Sequence, residues 1–84
     1  MHMSHLDRLR AVFRSSLNLP SDAEVDGLEY RAIPQWDSLA HMSLIAAMED
    51  EFSVMIDTDE MIDMSSFAKA ARLLERHGIG AAAL

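Results

Sequence analysis

The chain has 84 residues, half of them apolar, and a net charge of −7 at neutral pH. This length suffices for one small domain with a packed core and leaves no room for a second core. The negative charge argues against binding to nucleic acid or to anionic membrane surfaces, because both would repel it, and it favours partners with basic patches.

The chain contains no cysteine, which excludes disulfides and thiolate metal sites. No apolar run approaches the length of a membrane span, so no membrane span is predicted. Polar and charged side chains occupy the N-terminal segment, where a signal peptide would be apolar, and a cytoplasmic location is therefore predicted. Residues 1–3 are interpreted as a cloning remnant.

A first helix is predicted to start at the capping residue Ser4 and to end at Asn18 and Pro20. Its apolar side chains keep roughly one face, with its arginines outside that face: Leu6, Leu9, Phe13 and Leu17. Residues 21–35 then show no sustained period and are predicted to form a long loop, of a length that tends to be functional. Three apolar side chains are expected to attach this loop to the core: Val25, Leu28 and Ile33.

The central helix is predicted to be capped by Asp37, to begin at Ser38 and to run to about Phe52. One face has the helical spacing of a buried side: His41, Leu44, Ile45, Met48 and Phe52. A second apolar strip follows the same spacing on another side: Leu39, Met42 and Ala46. Because a small bundle does not need both strips to close its core, the second is predicted to be a docking surface.

Two more helices are predicted after a turn. A short one is capped by Thr58 and reaches about Asp63, and a last one is capped by Ser65 or Ser66. The inward side chains of the last helix are Phe67, Ala70, Ala71 and Leu74, and Gly78 suits its C-terminal cap. Residues 79–84 are predicted to be a flexible tail. The predicted fold is all-α, a small bundle of three main helices plus one short helix, with one core between about residues 5 and 76.

The charges are distributed unevenly along the chain. No lysine or arginine occurs between Ala32 and Ala68, and the same span holds most of the acidic residues: Asp37, Glu49, Asp50, Glu51, Asp57, Asp59, Glu60 and Asp63. One interpretation is a solvated acidic surface. The other is an electrostatic feature that orients the domain toward basic partners and speeds their encounter.

These features resemble those of the acyl carrier proteins, over about residues 6–74. The resemblance depends on Asp37-Ser38-Leu39 after a long loop, on the acidic run 49–52 that closes the same helix, and on Ile56 and Met64 after it. It implies a non-catalytic, monomeric carrier whose 4′-phosphopantetheine arm, taken from coenzyme A, is attached to Ser38. Asp37 and Leu39 would flank the arm, and acyl groups would travel on its thiol as thioesters.

The resemblance also implies the partners. These are a phosphopantetheinyl transferase and acyl-loading and acyl-processing enzymes with basic docking patches. The side chains predicted to contact them are Leu39, Met42, Ala46, Glu49, Ile56, Asp59, Glu60 and Met64.

Two observations from the residues agree with this interpretation. A carrier needs a thiol to form a thioester, and this chain has none, so the thiol must come from a prosthetic group. A phosphodiester on Ser38 would lie at a helix N-terminus, where free N–H groups and the helix dipole favour negative charge. That effect is worth only about 0.3–1 kcal/mol, so it orients the arm and does not drive its attachment.

The chain departs from the carriers of fatty acid synthesis at three positions. Those carriers usually have acidic residues where Ala40 and Ser43 stand here, and a small residue where Trp36 stands. These differences indicate a specialised pathway, for example that of a secondary metabolite or a surface polysaccharide. Asp37 favours acyl carriers over aminoacyl or peptidyl carriers, in which histidine is more common at that position.

Two other interpretations remain open at this stage, and a third is rejected. The first is a helical adaptor that binds a partner through the second apolar strip and carries no arm. The second is a small serine hydrolase built on Ser38, His41 and Asp37, although no oxyanion hole is evident. The third is a calcium loop among the acidic residues 57–63, which lacks the required central glycine, so no metal site is predicted.

Overall fold

The computed structural model describes residues 4–79. Within them the chain forms four helices: α1 (His5–Ser16), α2 (Ser38–Phe52), α3 (Thr58–Asp63) and α4 (Phe67–Arg76). The predicted all-α bundle of three main helices and one short helix is confirmed. The proposed cloning remnant, and all of the predicted tail except Ile79, lie outside the described residues.

Side chains accept backbone N–H groups at the start of every one of these helices. The predicted caps Ser4 of α1 and Asp37 of α2 are confirmed. Of the two candidates for the cap of α4, the structure shows that Ser66 fills the position. The predicted cap of α3 is wrong, because Asp57 and not Thr58 fills that position. Asp57 accepts the Glu60 N–H at 2.8 Å, and the Glu60 carboxylate accepts the Asp57 N–H at 3.2 Å. This reciprocal capping box satisfies two donors at once, which Thr58 alone could not do.

The C-terminal end of α4 is also fixed by hydrogen bonds between residues close in the chain. The Gly78 N–H donates to the Glu75 carbonyl at 2.9 Å and the Ile79 N–H donates to the Leu74 carbonyl at 2.8 Å. Gly78 has a φ of +87°, so the end of α4 is a Schellman motif with glycine in the left-handed position. Ile79 packs against the core, which means that the predicted flexible tail does not begin at this residue.

Gly78→Ala is expected to lower the free energy of unfolding by about 1–2 kcal/mol, because an L side chain is strained at a left-handed φ. Gly27→Ala is the matched control, since its φ lies outside that region and nothing lies within 4 Å of the added Cβ. The control should be neutral or stabilising by about 0.4–1 kcal/mol. Urea unfolding followed by circular dichroism measures both, and equal effects of the two changes would contradict this account.

Aromatic side chains occupy the centre of the core. The Phe13 ring meets the rings of Trp36 and Phe67 edge-on, with centroids 5.3 Å and 5.0 Å apart. The predicted inward side chains of α1, α2 and α4 are buried, except that Leu6, His41 and Ala71 are half-buried. The pattern did not single out three further core side chains: Val12, Trp36 and Leu73. Trp36 is therefore a core residue, although it lies in a segment without helical period.

The long loop between α1 and α2 is attached along its length. Arg10 donates to both carboxylate oxygens of Asp26 at 2.8 and 2.9 Å, and Arg14 donates to the Ala23 carbonyl at 2.9 Å. The hydrogen bonds from Arg10 lower the pKa of Asp26. These arginines were expected on the outer face of α1, but their side chains lie half-buried over the loop instead.

The second half of this loop crosses the start of α4. The Phe67 N–H donates to the Leu28 carbonyl at 3.0 Å, and the Tyr30 N–H donates to the Ser65 carbonyl at 2.9 Å. An isolated antiparallel bridge between Glu29 and Ser66 lies between these two bonds. This attachment fixes residues 28–30 and sets the position of the side chains that follow.

Candidate functional site

Ser38 is the first residue of α2 and its side chain is exposed. The preceding residue, Asp37, has an extended backbone, and its carboxylate accepts the Ala40 N–H at 2.9 Å. The capping bond thus turns the Asp37 carboxylate toward the helix backbone. The Ser38 hydroxyl is left on the surface, where an incoming enzyme can reach it.

Two loop side chains meet the Ser38 hydroxyl. The hydroxyls of Tyr30 and Ser38 share a hydrogen bond with an O–O distance of 3.1 Å, and Arg31 Nη2 donates to Ser38 Oγ at 3.4 Å. The Arg31 guanidinium also lies over the Tyr30 ring, 5.5 Å from its centroid. The hydrogen bond with Ser38, followed by the effect of the nearby Arg31 guanidinium, lowers the pKa of the Tyr30 phenol below its usual value.

The backbone around these two side chains is held on both sides. The Arg31 N–H donates to the Trp36 carbonyl at 3.1 Å, and Arg31 has a φ of +67°. A left-handed conformation in a residue other than glycine costs of order 1–3 kcal/mol and persists only where the surroundings impose it. Here the surroundings are the buried Trp36 on one side and the crossing over α4 on the other.

Trp36 and His41 connect α2 to α3. The Trp36 indole N–H donates to His41 Nδ1 at 3.0 Å, and His41 Nε2 lies 2.9 Å from the Met61 carbonyl oxygen. The indole can only donate and the carbonyl can only accept, so Nδ1 is the acceptor and Nε2 carries the proton. Both ring nitrogens of His41 are therefore engaged, and α3 is tied to α2 through this side chain.

This arrangement does not form a Ser-His-Asp triad. A triad requires the histidine to contact the serine hydroxyl and the aspartate to orient the histidine. His41 contacts Trp36 and Met61 instead, and the Asp37 carboxylate caps its own helix. The geometry gives no support to a serine hydrolase.

A mainly apolar pocket of about 220 Å³ adjoins the site. Its lining comes from the loop, from α2 and from α3 and the turn after it: Tyr30, His41, Met61, Ile62, Met64 and Ser65. Tyr30 thus takes part in both features, with its hydroxyl at Ser38 and its side chain in the pocket wall. The sequence grouped His41 with the buried side of α2, and the side chain lies half-buried in this pocket wall.

The second apolar strip of α2 faces away from the core. Leu39 is 75% exposed, Met42 is 61% exposed, and Ala46 is also exposed. Ile62 on α3 is exposed as well, although the sequence pattern did not single it out. The three exposed side chains of α2 form an apolar strip along that helix that begins next to Ser38.

The other predicted partner contacts differ in their availability. Asp59 is exposed, whereas Glu49 and Glu60 form hydrogen bonds within the chain. The Glu49 carboxylate accepts the Ile56 N–H at 3.0 Å, and the Glu60 carboxylate lies 3.0 Å from His77 Nε2. Ile56 is half-buried. Met64 is only 1% exposed and belongs to the core, because the turn between α3 and α4 folds it inward. It is therefore not available to a partner in this conformation.

The acidic segment around α3 has a structural use. Asp57 and Glu60 form the capping box described above. Among residues 4–79, no three histidine or acidic side chains come together in a way that could hold a metal ion. Within the same residues, none of the helices has both the length and the apolar composition needed to cross a bilayer.

Sequence reasoning singled out Ser38 but missed Tyr30 and Arg31. Both lie in a loop without periodicity, and no local pattern connects them with a serine seven or eight positions later. The pairing of Trp36 with His41 was missed for the same reason. The only sequence feature that pointed to these contacts with Ser38 was the presence of a tyrosine and an arginine shortly before Asp37-Ser38.

The fold and the site together define a class of protein: small acidic helical bundles that present a serine at the start of their longest helix. The comparisons agree with this class. The chain is 28% identical over 69 residues to "Acyl carrier protein 3, chloroplastic" of Cuphea lanceolata, which covers 82% of the chain and 48% of that protein. It is also 28% identical over 65 residues to "Acyl carrier protein 4, chloroplastic" of the same plant, covering 77% and 47%.

The chain is thus distantly similar to acyl carrier proteins. It spans about half the length of the curated relatives that it matches. No family model matches the chain.

Proposed function

We propose that this chain is a single, non-catalytic acyl carrier domain whose Ser38 bears a 4′-phosphopantetheine arm derived from coenzyme A. When bound, that group supplies the thiol on which acyl groups are held as thioesters. The observation that carries the proposal is the exposed Ser38 hydroxyl at the first residue of α2, in a chain distantly homologous to acyl carrier proteins.

The residues around Ser38 fit a phosphodiester. Such a group carries one negative charge and needs hydrogen-bond donors, and Arg31 and Tyr30 both reach the oxygen to which it would be joined. The carboxylate of the preceding residue, Asp37, is engaged by the Ala40 N–H. The first turn of α2 adds the favourable end of a helix dipole.

Attachment requires an external enzyme. Ser38 Oγ would form a bond to the phosphorus of the phosphopantetheinyl group while the pyrophosphate linkage of coenzyme A breaks and adenosine 3′,5′-bisphosphate leaves. The hydroxyl proton must pass to a base of the transferase, since both ring nitrogens of His41 are already engaged. The role of this chain is to present the hydroxyl.

Intact-mass measurement after incubation with coenzyme A and a promiscuous phosphopantetheinyl transferase tests the proposal. The unmodified chain should gain the mass of one phosphopantetheinyl group, and Ser38→Ala should gain none. Ser43→Ala is the matched control, because Ser43 is another exposed hydroxyl of α2, and it should be modified like the unmodified chain. Absence of the gain in the unmodified chain, or an equal gain in Ser38→Ala, would refute the carrier function and favour an adaptor.

The partner surface that we propose consists of the exposed side chains beside Ser38. Leu39, Met42 and Ala46 supply the apolar contact, and the acidic residues around α3, with Asp59 exposed, favour basic patches on partner enzymes. Met64 is excluded from this surface because it is buried. Three further residues would contact a partner only through those side-chain atoms that their contacts within the chain leave exposed: Glu49, Ile56 and Glu60.

We further propose that the carrier serves a specialised biosynthetic pathway. Ala40 and the exposed Ser43 remove two acidic contacts from the start of α2, which supports greater dependence of docking on the apolar strip. Loading rates with an acyltransferase of fatty acid synthesis should accordingly be low. The monomeric state and the cytoplasmic location stay predictions.

A further inference from the structure

We propose that Tyr30 and Arg31 form a clamp that holds the phosphodiester by which the arm is joined to Ser38. The inference rests on the proposed function and adds two positioning residues from outside the Asp37-Ser38-Leu39 motif. In the structure the two side chains already converge on the oxygen that would be esterified, at 3.1 Å from the Tyr30 hydroxyl and 3.4 Å from Arg31 Nη2.

The chemistry of the two side chains matches that of the ligand. The non-bridging oxygens of a phosphodiester are hydrogen-bond acceptors that share one negative charge. A guanidinium offers several donors and a permanent positive charge, and a phenol offers one further donor. Charge-assisted hydrogen bonds of this kind are about twice as strong as neutral ones.

The charge pattern of the chain makes the position of Arg31 significant. Arg31 is the last basic residue before a stretch of 37 residues, Ala32 to Ala68, that contains no lysine or arginine and is rich in acids. An anion on Ser38 would therefore lie in the acidic part of the chain, directly after Asp37, and Arg31 provides a local positive charge beside it. Its guanidinium also lies over the Tyr30 ring, which limits the directions in which it can point.

The clamp is organised before any ligand arrives. The Tyr30 N–H is bonded to the Ser65 carbonyl at 2.9 Å, and the Arg31 N–H is bonded to the Trp36 carbonyl at 3.1 Å. These backbone bonds already hold the loop, so the loop does not need the two side-chain contacts with Ser38 for its attachment. The left-handed backbone of Arg31, which is strained, aims the guanidinium at an exposed hydroxyl.

The chain contains one tyrosine, so the ultraviolet absorbance of phenolate reports the titration of Tyr30 alone. Arm attachment should move the midpoint upward by about one pH unit, because a negative charge within hydrogen-bonding distance disfavours the phenolate. In the unloaded protein, Arg31→Gln should also raise the midpoint, since the guanidinium is lost. Arg72→Gln, which alters an exposed arginine of α4, should leave it unchanged.

Phosphorus NMR of the loaded protein gives a second measurement. The phosphodiester resonance should shift and narrow in Arg31→Gln and, to a smaller extent, in Tyr30→Phe, because the phosphate loses its partners and moves more freely. Arg31→Lys should restore part of the effect, and Arg72→Gln should show none. Arg31→Gly, which suits the left-handed backbone, guards against misfolding and should resemble Arg31→Gln in the phosphorus spectrum.

The outcomes separate the two proposals. If the unmodified chain gains no arm by mass, the carrier function fails and the clamp fails with it. If the arm is attached but neither the Tyr30 titration nor the phosphorus resonance responds to loading and to Arg31→Gln, the clamp is wrong and the carrier function stands. Responses in Arg31→Gln and Arg31→Gly, without one in Arg72→Gln, support the clamp.

Discussion

Replacing Trp36 with alanine is expected to lower the free energy of unfolding by about 3–5 kcal/mol. The side chain is fully buried, meets the Phe13 ring edge-on and donates its indole N–H to His41. Alanine would leave a cavity and deprive His41 Nδ1 of its donor. Small domains have total stabilities toward the lower end of about 5–15 kcal/mol, so much of the protein should unfold near physiological temperature.

Urea and thermal unfolding, followed by circular dichroism, measure this effect. Trp36→Phe is an informative companion because it keeps an aromatic ring but removes the N–H. Its free energy of unfolding should lie between that of the unmodified protein and that of Trp36→Ala. Met55→Ala is the matched control: Met55 is 86% exposed, and its replacement should change stability by no more than about 0.5 kcal/mol. A Trp36→Ala protein as stable as this control would show that the core is not centred on Trp36.

Met42→Glu is expected to reduce kcat/KM for arm attachment by the transferase about tenfold, mainly through KM. Tenfold corresponds to about 1.4 kcal/mol, a common loss for a side chain near the centre of an interface. Met42 is 61% exposed and follows Ser38 by one helical turn. Glutamate adds a negative charge that would by itself favour a basic partner, so a loss of rate isolates the apolar contact.

The control for this change is Met55→Glu. It introduces the same charge at an exposed apolar residue beyond the C-terminal end of α2, a helix of 15 residues and thus roughly 22 Å long. Loading rates should be unaffected by it, and circular dichroism should show full helicity for both variants. Loss of helicity in Met42→Glu would mean that Met42 belongs to the core and that the second apolar strip of α2 is not a docking surface.

Short-range patterns accounted for most of the secondary structure. Ser4 and Asp37 were recognisable as caps, and Ser66 as one of two candidates, because a capping side chain acts on an N–H group only three residues away. The buried and exposed faces of α2 were recognisable because helical spacing alone decides which residues share a side. Even the error at Thr58 was a displacement by one position, from one capping residue to its neighbour.

The surroundings of Ser38 could not be obtained in this way. Tyr30 and Arg31 reach the serine only because residues 28–30 cross the start of α4, far along the chain, and because a buried Trp36 holds the turn between them and α2. The burial of Met64 and the bond from His41 to Met61 likewise depend on how α3 packs. Local sequence therefore specified the helices, their caps and the serine, since these depend on neighbours within one or two turns. Packing between distant segments determined what the serine hydroxyl touches, because those contacts exist only once the loop and the helices enclose the common core.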